Sequence, residues 1–271
     1  MLCRVLVLVC VFVSMLRVQA AAGEATEVAP RARPGWYMGR QIAPTMSADG
    51  AGWLIRKSRE TEEQPQKLLK ALGVKPGQIV CDFGCGNGYH TLRLAHRVGP
   101  RGRVYAVDIQ EEMLELLQAR AEPRGITNIE LVLATDTNPK LPTGKLDMLL
   151  MVDVYHELFE PQAILEAIHS SLNETGRMVL VEFREEDPTV PIRPLHKMSQ
   201  AQVIKEITAN RFKLVEQFDE LPWQHVLLFA RTDSRLLQVE LTPWQSVDLE
   251  QSAPGTGPES SSGAARPAPG N

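Results

Sequence analysis

Apolar, strand-like segments alternate with helix-like segments from about residue 62 to residue 231. Some of the strand-like segments, such as MLLMV (148–152) and MVLVEF (178–183), are apolar at almost every position. A strand with this pattern is buried on both faces, so helices must cover both sides of its sheet. Strands joined through helices run parallel, with right-handed crossovers. The sequence therefore predicts a three-layer α/β sandwich with a mostly parallel sheet.

Seven strands are expected in this region. The last two are joined by a short connection containing Leu-Pro-Trp, which leaves no room for a helical crossover. They are therefore expected to form a C-terminal antiparallel hairpin. The predicted strands are 78–83, 103–107, 129–134, 146–152, 177–183, 212–218 and 225–230, and the predicted helices are 65–72, 89–98, 110–121, 161–172 and 199–210.

The composition of the 271-residue chain is that of an ordinary globular protein, with 44% hydrophobic and 23% charged residues. It excludes collagen-like, wholly disordered, disulfide-dense and multi-span membrane proteins. The formal net charge is −4. A protein that binds nucleic-acid phosphates usually carries an excess of basic residues, so no nucleic-acid partner is expected.

The N-terminal end is typical of an export signal. Val5–Leu16 is an apolar run with arginine on either side, and small residues follow it. The run is shorter than the roughly 18–20 residues that span a bilayer. These features predict a signal peptide over residues 1–22 that is cleaved after Ala20 or Ala22, with a periplasmic or secreted product. The alternatives are a cytoplasmic protein or an uncleaved leader, which would be the chain's contact with a membrane.

The remaining boundaries follow from composition. Residues 23–34 are expected to form a linker, residues 35–231 the folded domain, and residues 232–271 a largely disordered tail. Sixteen of the last twenty residues are Pro, Gly, Ser or Ala, a composition that cannot bury enough apolar surface to offset the entropy of ordering. Within the domain, residues 35–60 form an N-terminal cap segment. Its aromatic residues are expected either to cover a substrate pocket or to pack against the core; they are Trp36, Tyr37 and Trp53.

A glycine-rich turn follows the first long strand, in the sequence VCDFGCGNG (80–88). A turn of this kind lets a ligand approach backbone N–H groups closely. Its spacing is GxGxG, whereas dinucleotide-binding proteins have GxGxxG. Asp82 precedes the first glycine, and an acid in that position suits a ligand with an ammonium group.

Two further acids follow the next two strands. Asp108 lies twenty residues after Gly88, where a carboxylate can accept hydrogen bonds from both hydroxyls of a ribose. Asp136 follows the third strand and is placed to reach the amino group of an adenine. An amino-acid end, a ribose and a base together describe S-adenosylmethionine.

Over about residues 68–231 the sequence resembles the class I S-adenosylmethionine-dependent methyltransferases, through VCDFGCGNGYHTLRLA followed by VYAVDI. The resemblance implies a Rossmann-like fold and S-adenosylmethionine as cofactor. It also implies that Asp82 and the loop face the methionyl part, Asp108 with Ile109 the ribose, and Asp136 with Thr137 the adenine. The loop residues concerned are Gly84, Cys85, Gly86 and Gly88. Two alternatives stay open: an NAD(P)-dependent oxidoreductase, and a non-catalytic relative that binds S-adenosylmethionine.

Candidate catalytic residues follow the fourth and fifth strands, because ligands of open α/β sheets bind beyond the carboxyl ends of the strands. Asp153 and His156 follow the fourth strand, and His156 is expected to act as a base or to orient the substrate. The alternative is that His156 and Glu157 cap the helix that begins near Pro161. A methyl-transfer site mainly aligns the reacting atoms and excludes water.

Glu182 lies near the end of the fifth strand, so a buried carboxylate that needs a partner is expected there. Its expected partners are Arg184, Arg193, His196 and Lys197, and His196 is a further catalytic candidate.

The four catalytic candidates include carboxylates and imidazoles, which are metal ligands, but their spacing is not of the HxxxH type, so no metal is predicted. The remaining histidines on predicted helices are expected on the surface; they are His90, His96 and His169. The methyl acceptor is expected to be a small molecule, with a quinone-like compound or a protein side chain left open. The oligomeric state is not predicted.

Overall fold

The computed structural model describes residues 35–245. The predicted signal peptide and linker, and residues 246–271 of the predicted tail, lie outside the described residues. The strands are β1 (Trp36–Tyr37), β2 (Arg40–Gln41), β3 (Ile79–Phe83), β4 (Arg103–Asp108), β5 (Ile129–Leu133), β6 (Leu146–Val152), β7 (Leu172–Arg184), β8 (Lys197–Met198), β9 (Phe212–Phe218) and β10 (Gln224–Arg231). The α-helices are α1 (Arg59–Glu62), α2 (Pro65–Leu72), α3 (Thr91–Val98), α4 (Glu111–Ala121), α5 (Pro161–Ser171) and α6 (Gln200–Thr208).

Seven strands form the main path of the central sheet, in the order β5-β4-β3-β6-β7-β10-β9, and the two-residue β8 pairs with β7. Strands β3 to β7 pair in parallel, and β10 lies antiparallel between β7 and β9. The order reverses between β3 and β6, and ligands of open α/β sheets bind at such a switch point. The predicted fold class, a mostly parallel sheet with a C-terminal hairpin, is confirmed.

The alternating side chains of each central strand pack against different helix layers. In β6, Leu149 and Met151 join a core cluster that includes Ile164 and Ile168 of α5, whereas Met148 and Leu150 join a cluster that includes α2 and α3. This is the two-sided burial that the apolar runs predict. None of the helices in residues 35–245 is long and apolar enough to span a bilayer.

The cap segment packs against α6 and against the loops at the carboxyl ends of the parallel strands. Tyr37 accepts a hydrogen bond from Nδ2 of Asn210 at 2.7 Å. It therefore packs against the domain, which is one of the two roles expected for these aromatic residues. Trp53 lines the large cavity described below, which is the covering role, and Trp36 is exposed.

The chain continues along β9 after the last strand. Val239 donates its backbone N–H to the carbonyl of Leu214 at 3.0 Å, and Thr242 donates to Gln217 Oε1 at 2.9 Å. Residues 232–245 therefore pack on the sheet edge, although they fall within the predicted tail.

Candidate active site

A cavity of about 540 Å³ lies at the carboxyl ends of the parallel strands. Its walls come from the loops after β3, β4, β5, β6 and β7 and from the cap segment. The volume is within the range of about 300–1,000 Å³ that small-molecule sites occupy. The fold thus forms one chamber at the strand-order reversal, where the sequence places its conspicuous polar residues.

The glycine turn forms one wall of this chamber. Gly84 has φ of 69°, and a Cβ built on it would lie 2.5 Å from Cγ2 of Val154. The backbone N–H groups of Gly84 and Cys85 donate to the carbonyl of Val107 at 2.8 and 2.9 Å. The turn is therefore held close to the neighbouring strand. Position 84 requires glycine for two reasons, because its backbone is left-handed and because a side chain would collide with Val154.

Asp108 connects the glycine turn to the cavity. Its carboxylate accepts hydrogen bonds from the backbone N–H of Gly86 at 2.9 Å and of Gln110 at 3.0 Å. Burial raises its pKa above the ordinary range, and these hydrogen bonds oppose the rise. Because each carboxylate oxygen has further lone pairs, Asp108 can still accept from the hydroxyls of a ribose, and the site fits the predicted ligand.

The nine predicted cofactor-binding residues fall into two groups, those that line the cavity and those that do not. Gly84, Asp108, Ile109 and Asp136 line the cavity. The predicted residues outside its lining are Asp82, Cys85, Gly86, Gly88 and Thr137. Thr135, which sequence reasoning missed, lines the cavity beside Asp136.

Asp82 lies behind the glycine turn and not in the cavity wall. It is buried and accepts a hydrogen bond from Oγ1 of Thr91 at 2.5 Å. Burial raises its pKa to about 6, and the Thr91 bond opposes the rise. In the structure, Asp82 therefore connects the end of β3 to the start of α3.

His156 and Glu182 form a buried pair. Nδ1 of His156 lies 2.6 Å from Oε2 of Glu182, and the backbone N–H of Tyr155 donates to Oε1 of the same carboxylate at 2.9 Å. This contact fixes the imidazole so that Nδ1 faces Glu182 and Nε2 faces the groups of the cavity lining. The expectation that Arg184, Arg193, His196 or Lys197 would be the partner of Glu182 was wrong.

Arg184 is instead held by the loop between β9 and β10. Its buried guanidinium donates to the backbone carbonyl oxygens of Gln224 at 2.6 Å and of Asp219 at 3.3 Å. It also stacks on the ring of Trp244 at 4.6 Å. The arginine is therefore committed to the loop between β9 and β10.

A network of buried side chains holds the turn that carries His156. Glu206 of α6 accepts from the Tyr155 hydroxyl at 2.9 Å and from Nε of Arg40 at 2.8 Å. Nη1 of Arg40 in turn donates to the backbone carbonyl of His156 at 2.9 Å. The short 3-10 helix Tyr155–Glu157 is thus fixed from the cap segment, β7 and α6.

Two further titratable groups approach Nε2 of His156. Nδ1 of His196 lies 3.2 Å away, and Oε1 of Glu157 lies 3.8 Å away. Burial raises the pKa of Glu157 to about 7, against the opposing effect of His156, and burial also lowers the pKa of His196. The predicted residues His156 and His196 therefore meet, and Glu157, considered only as a helix cap, joins them in the cavity lining.

Asp153 lines the cavity between the glycine turn and His156. Its φ is 55°, and both carboxylate oxygens accept from Nε2 of Gln224, at 2.9 and 2.8 Å. Burial raises its pKa well above the ordinary range, and the charge of Glu63 adds to the effect. Asp153 is thus brought to the site, but it belongs to a different hydrogen-bond network from His156 and Glu182.

Arg59 of the cap segment is a cavity residue that sequence reasoning missed. Its guanidinium is buried, pairs with Glu63 at 2.5 Å and lies 3.5 Å from Nε2 of His90. The prediction that His90 is a surface residue was wrong, because this contact and the ring of Tyr89 enclose it. No simple signal marks Arg59, because its approach depends on how the cap folds.

Comparison with known proteins identifies the domain. A family model described as a methyltransferase domain matches residues 74–233. The chain is 25% identical over 183 residues to the ubiquinone/menaquinone biosynthesis C-methyltransferase UbiE of Shewanella oneidensis, covering 64% of this chain and 72% of that protein. It is 35% identical over 83 residues to nocamycin O-methyltransferase of Saccharothrix syringae, covering 31% of this chain and 30% of that enzyme. A demethylmenaquinone methyltransferase of Lactococcus lactis is 29% identical over 126 residues and is matched over 49% of its length. The chain thus spans less than two thirds of the length of the nocamycin and Lactococcus lactis enzymes.

Among solved structures, an S-adenosylmethionine-dependent methyltransferase from Aquifex aeolicus has the same fold, with a TM-score of 0.64 at 24% identity. The superposition covers 68% of this chain and 98% of that one. Because the family model spans more than half of the chain, this protein belongs to the methyltransferase domain family.

Proposed function

We propose that the protein transfers a methyl group from S-adenosylmethionine to a small acceptor with an apolar body and an ionisable oxygen or carbon. One observation carries this proposal: a single cavity holds both the Asp108 end of the glycine turn and the cluster of His156, Glu157 and His196. A methyl donor and its acceptor must meet in one water-excluding chamber. The cavity provides a polar site for each.

Four residues are proposed to hold the methyl donor. Asp108 would accept from the ribose hydroxyls, and Asp136 with Thr135 would contact the adenine. Arg59 would attract the carboxylate of the methionyl part, because its buried guanidinium lines the same cavity and its fork of N–H groups matches a carboxylate.

The acceptor end combines apolar walls with the polar cluster. Pro191, Ile192 and Leu158 line it beside His196, and Phe159, with 56% of its surface exposed, lies at the cavity. Such walls suit a largely apolar molecule whose polar group reaches His156. The relatives support a small-molecule acceptor, because they are named for O-methylation in nocamycin and for C-methylation in ubiquinone and menaquinone biosynthesis.

When bound, S-adenosylmethionine supplies an electrophilic methyl: the nucleophile bonds to carbon while the carbon–sulfur bond breaks and its electron pair stays on sulfur. The protein orients the acceptor at the His156 cluster, and the acceptor's proton passes from there to water. Glu182 positions His156 through the contact between its Oε2 and Nδ1 of the imidazole, which are 2.6 Å apart. Asp153, which follows β6, lines the same cavity.

The proposal is tested by methyl transfer from radiolabelled S-adenosylmethionine to a panel of phenols, hydroquinones and a peptide mixture. We expect label in a small aromatic acceptor, and a loss of at least about tenfold in kcat for His156→Gln. The matched control, His96→Gln on the exposed face of α3, should keep wild-type activity. Label confined to peptides, or equal rates for both variants, would contradict the proposal.

We further propose that the chain is exported, on the evidence of the apolar run and small residues within 1–22. N-terminal sequencing of the native protein tests this. A start at residue 21 or 23 is expected, and a start at Met1 or Met15 would contradict it.

A further inference from the structure

Three potential metal ligands converge at the acceptor end of the cavity: Nε2 of His156, Nδ1 of His196 and a carboxylate oxygen of Glu157. The two imidazole nitrogens are 3.2 Å apart, and each lies 3.8 Å from Oε1 of Glu157. The three side chains come from two short 3-10 helices, Tyr155–Glu157 and Pro194–His196. The cluster therefore depends on how the loops after β6 and β7 pack together.

The separations match those of ligands around one small cation. The point equidistant from the corners of this triangle lies about 2.1 Å from each atom, which is the usual bond length from Zn²⁺ to imidazole nitrogen and carboxylate oxygen. Hydrogen bonding alone leaves the two 3.8 Å separations unexplained, since both exceed a hydrogen-bond length. An ion at the centre would satisfy all three atoms.

The surrounding groups already fix the orientation that an ion requires. Oε2 of Glu182 lies 2.6 Å from Nδ1 of His156, and a metal-bound histidine characteristically makes this carboxylate contact. The backbone N–H of Met46 donates to Oε2 of Glu157 at 3.3 Å and leaves Oε1 towards the histidines. Of the charges facing the cluster, Arg193 is unfavourable to a cation, and the two glutamates outnumber it.

We propose that His156, Glu157 and His196 bind one divalent transition-metal ion of the Zn²⁺ class. Two histidines and one carboxylate are a known ligand set for zinc sites that keep a position open for water or substrate. All three side chains line the cavity, so the open position of such a site would be within reach of a molecule bound there. The ion's role, though not its binding, rests on the proposed methyltransferase function.

In that role the ion binds the acceptor through an oxygen. A hydroxyl bound to such an ion loses its proton to water more readily, and the resulting oxyanion stays bound to the metal. The oxygen, or a ring carbon to which its electron pair is conjugated, then attacks the methyl group. The proposal narrows the acceptor to a hydroxyl-bearing molecule such as a phenol or hydroquinone.

The test uses the untagged full-length protein after dialysis against EDTA. Zn²⁺ is titrated in by calorimetry, and Co²⁺ is added separately as a spectroscopic probe of the ligand geometry. We expect one ion per chain and a visible Co²⁺ spectrum of tetrahedral or five-coordinate type. Affinity should fall at least tenfold in His196→Gln and in Glu157→Gln, about 10–100-fold in Glu182→Gln, which alters only the group behind His156, and not at all in His96→Gln.

Calorimetry with S-adenosylmethionine on the same samples checks that each variant is folded and separates the two proposals. Absence of stoichiometric Zn²⁺ and Co²⁺ binding by the wild type overturns the metal site, even if methyl transfer is observed. Undiminished affinity in a folded His196→Gln also overturns it. Zn²⁺ binding with the expected variant pattern supports the metal site, and a lack of methyl transfer by that zinc-loaded protein would then count against the proposed function alone.

Discussion

Replacing Gly84 by alanine should disturb the cavity at the glycine turn. The new Cβ would lie 2.5 Å from Cγ2 and 2.6 Å from Cγ1 of Val154, which lines the cavity wall. It would also force a non-glycine residue to adopt φ of 69°. Val154 follows the left-handed Asp153, so the end of β6 has little freedom to retreat.

Two separate effects lower the stability of Gly84→Ala, the strained backbone and the steric overlap with Val154. A left-handed non-glycine residue costs about 1–2 kcal/mol, and overpacking a well-filled site costs about 1–3 kcal/mol. The expected loss for Gly84→Ala is therefore about 2–5 kcal/mol, or a fall of roughly 5–15 °C in Tm for a domain of this size. Gly144 provides the matched control, because its φ is 66° and its Cβ would meet nothing within 4 Å. Gly144→Ala should lose only the backbone part.

The assay is thermal and urea unfolding of both single variants, together with Val154→Ala and the Gly84→Ala/Val154→Ala double variant. Removing the valine methyl groups should reduce the added cost of Gly84→Ala towards that of Gly144→Ala, because only the Cβ of residue 154, at 3.1 Å, then stays close. Equal losses for Gly84→Ala and Gly144→Ala would refute the steric argument. So would an unchanged cost in the Val154→Ala background.

Three further predictions concern the acids of the site. Asp108→Asn should weaken S-adenosylmethionine binding about 10–100-fold in calorimetry, because an amide nitrogen cannot accept a hydrogen bond. The raised pKa of Asp82, about 6 against an ordinary 3.8, means that the folded state favours its protonated form. The resulting stabilisation, about 3 kcal/mol, should be complete below about pH 4 and lost as the pH rises through 6, and unfolding of Asp82→Asn should lack this pH dependence. Arg40→Met should cost about 3–5 kcal/mol in urea unfolding, because it leaves the buried carboxylate of Glu206 without its guanidinium.

Each of these three predictions has a result that would contradict it. Unchanged affinity in a folded Asp108→Asn would remove Asp108 from the donor site. Identical pH profiles for Asp82→Asn and wild type would show that the pKa of Asp82 is not raised in the folded state. A loss below 1 kcal/mol for Arg40→Met, or no recovery in Arg40→Met/Glu206→Leu, would show that the Glu206 network does not hold the His156 turn.

Features encoded by local pattern were predictable from the sequence. The apolar run of β6 coincides with the predicted strand 146–152, because burial on both faces leaves a continuous signature. Asp108 was found because its spacing from the glycine turn follows from one strand-helix-strand unit. The start of β7 was less predictable: the strand begins at Leu172, before Gly176, with an irregularity in its pairing to β6.

Partners that depend on the packing of distant loops were not predictable. Glu182 was expected to pair with charges near it in sequence or in the loop beyond, yet its partner is His156, 26 residues earlier at the end of the neighbouring strand. Glu157 was weighed as a helix cap, but α5 begins at Pro161 and the separate 3-10 helix turns Glu157 into the cavity. Arg59 reaches the cavity only through the fold of the cap.

The most direct test of the central claim is a crystal structure of the protein with S-adenosylhomocysteine. The claim is that one cavity places the methyl donor beside the His156, Glu157 and His196 cluster. It predicts ribose hydroxyls within hydrogen-bond distance of the Asp108 carboxylate, and a sulfur atom that faces the cluster across the cavity. A ligand bound elsewhere, or a sulfur atom separated from the cluster by protein, would contradict it.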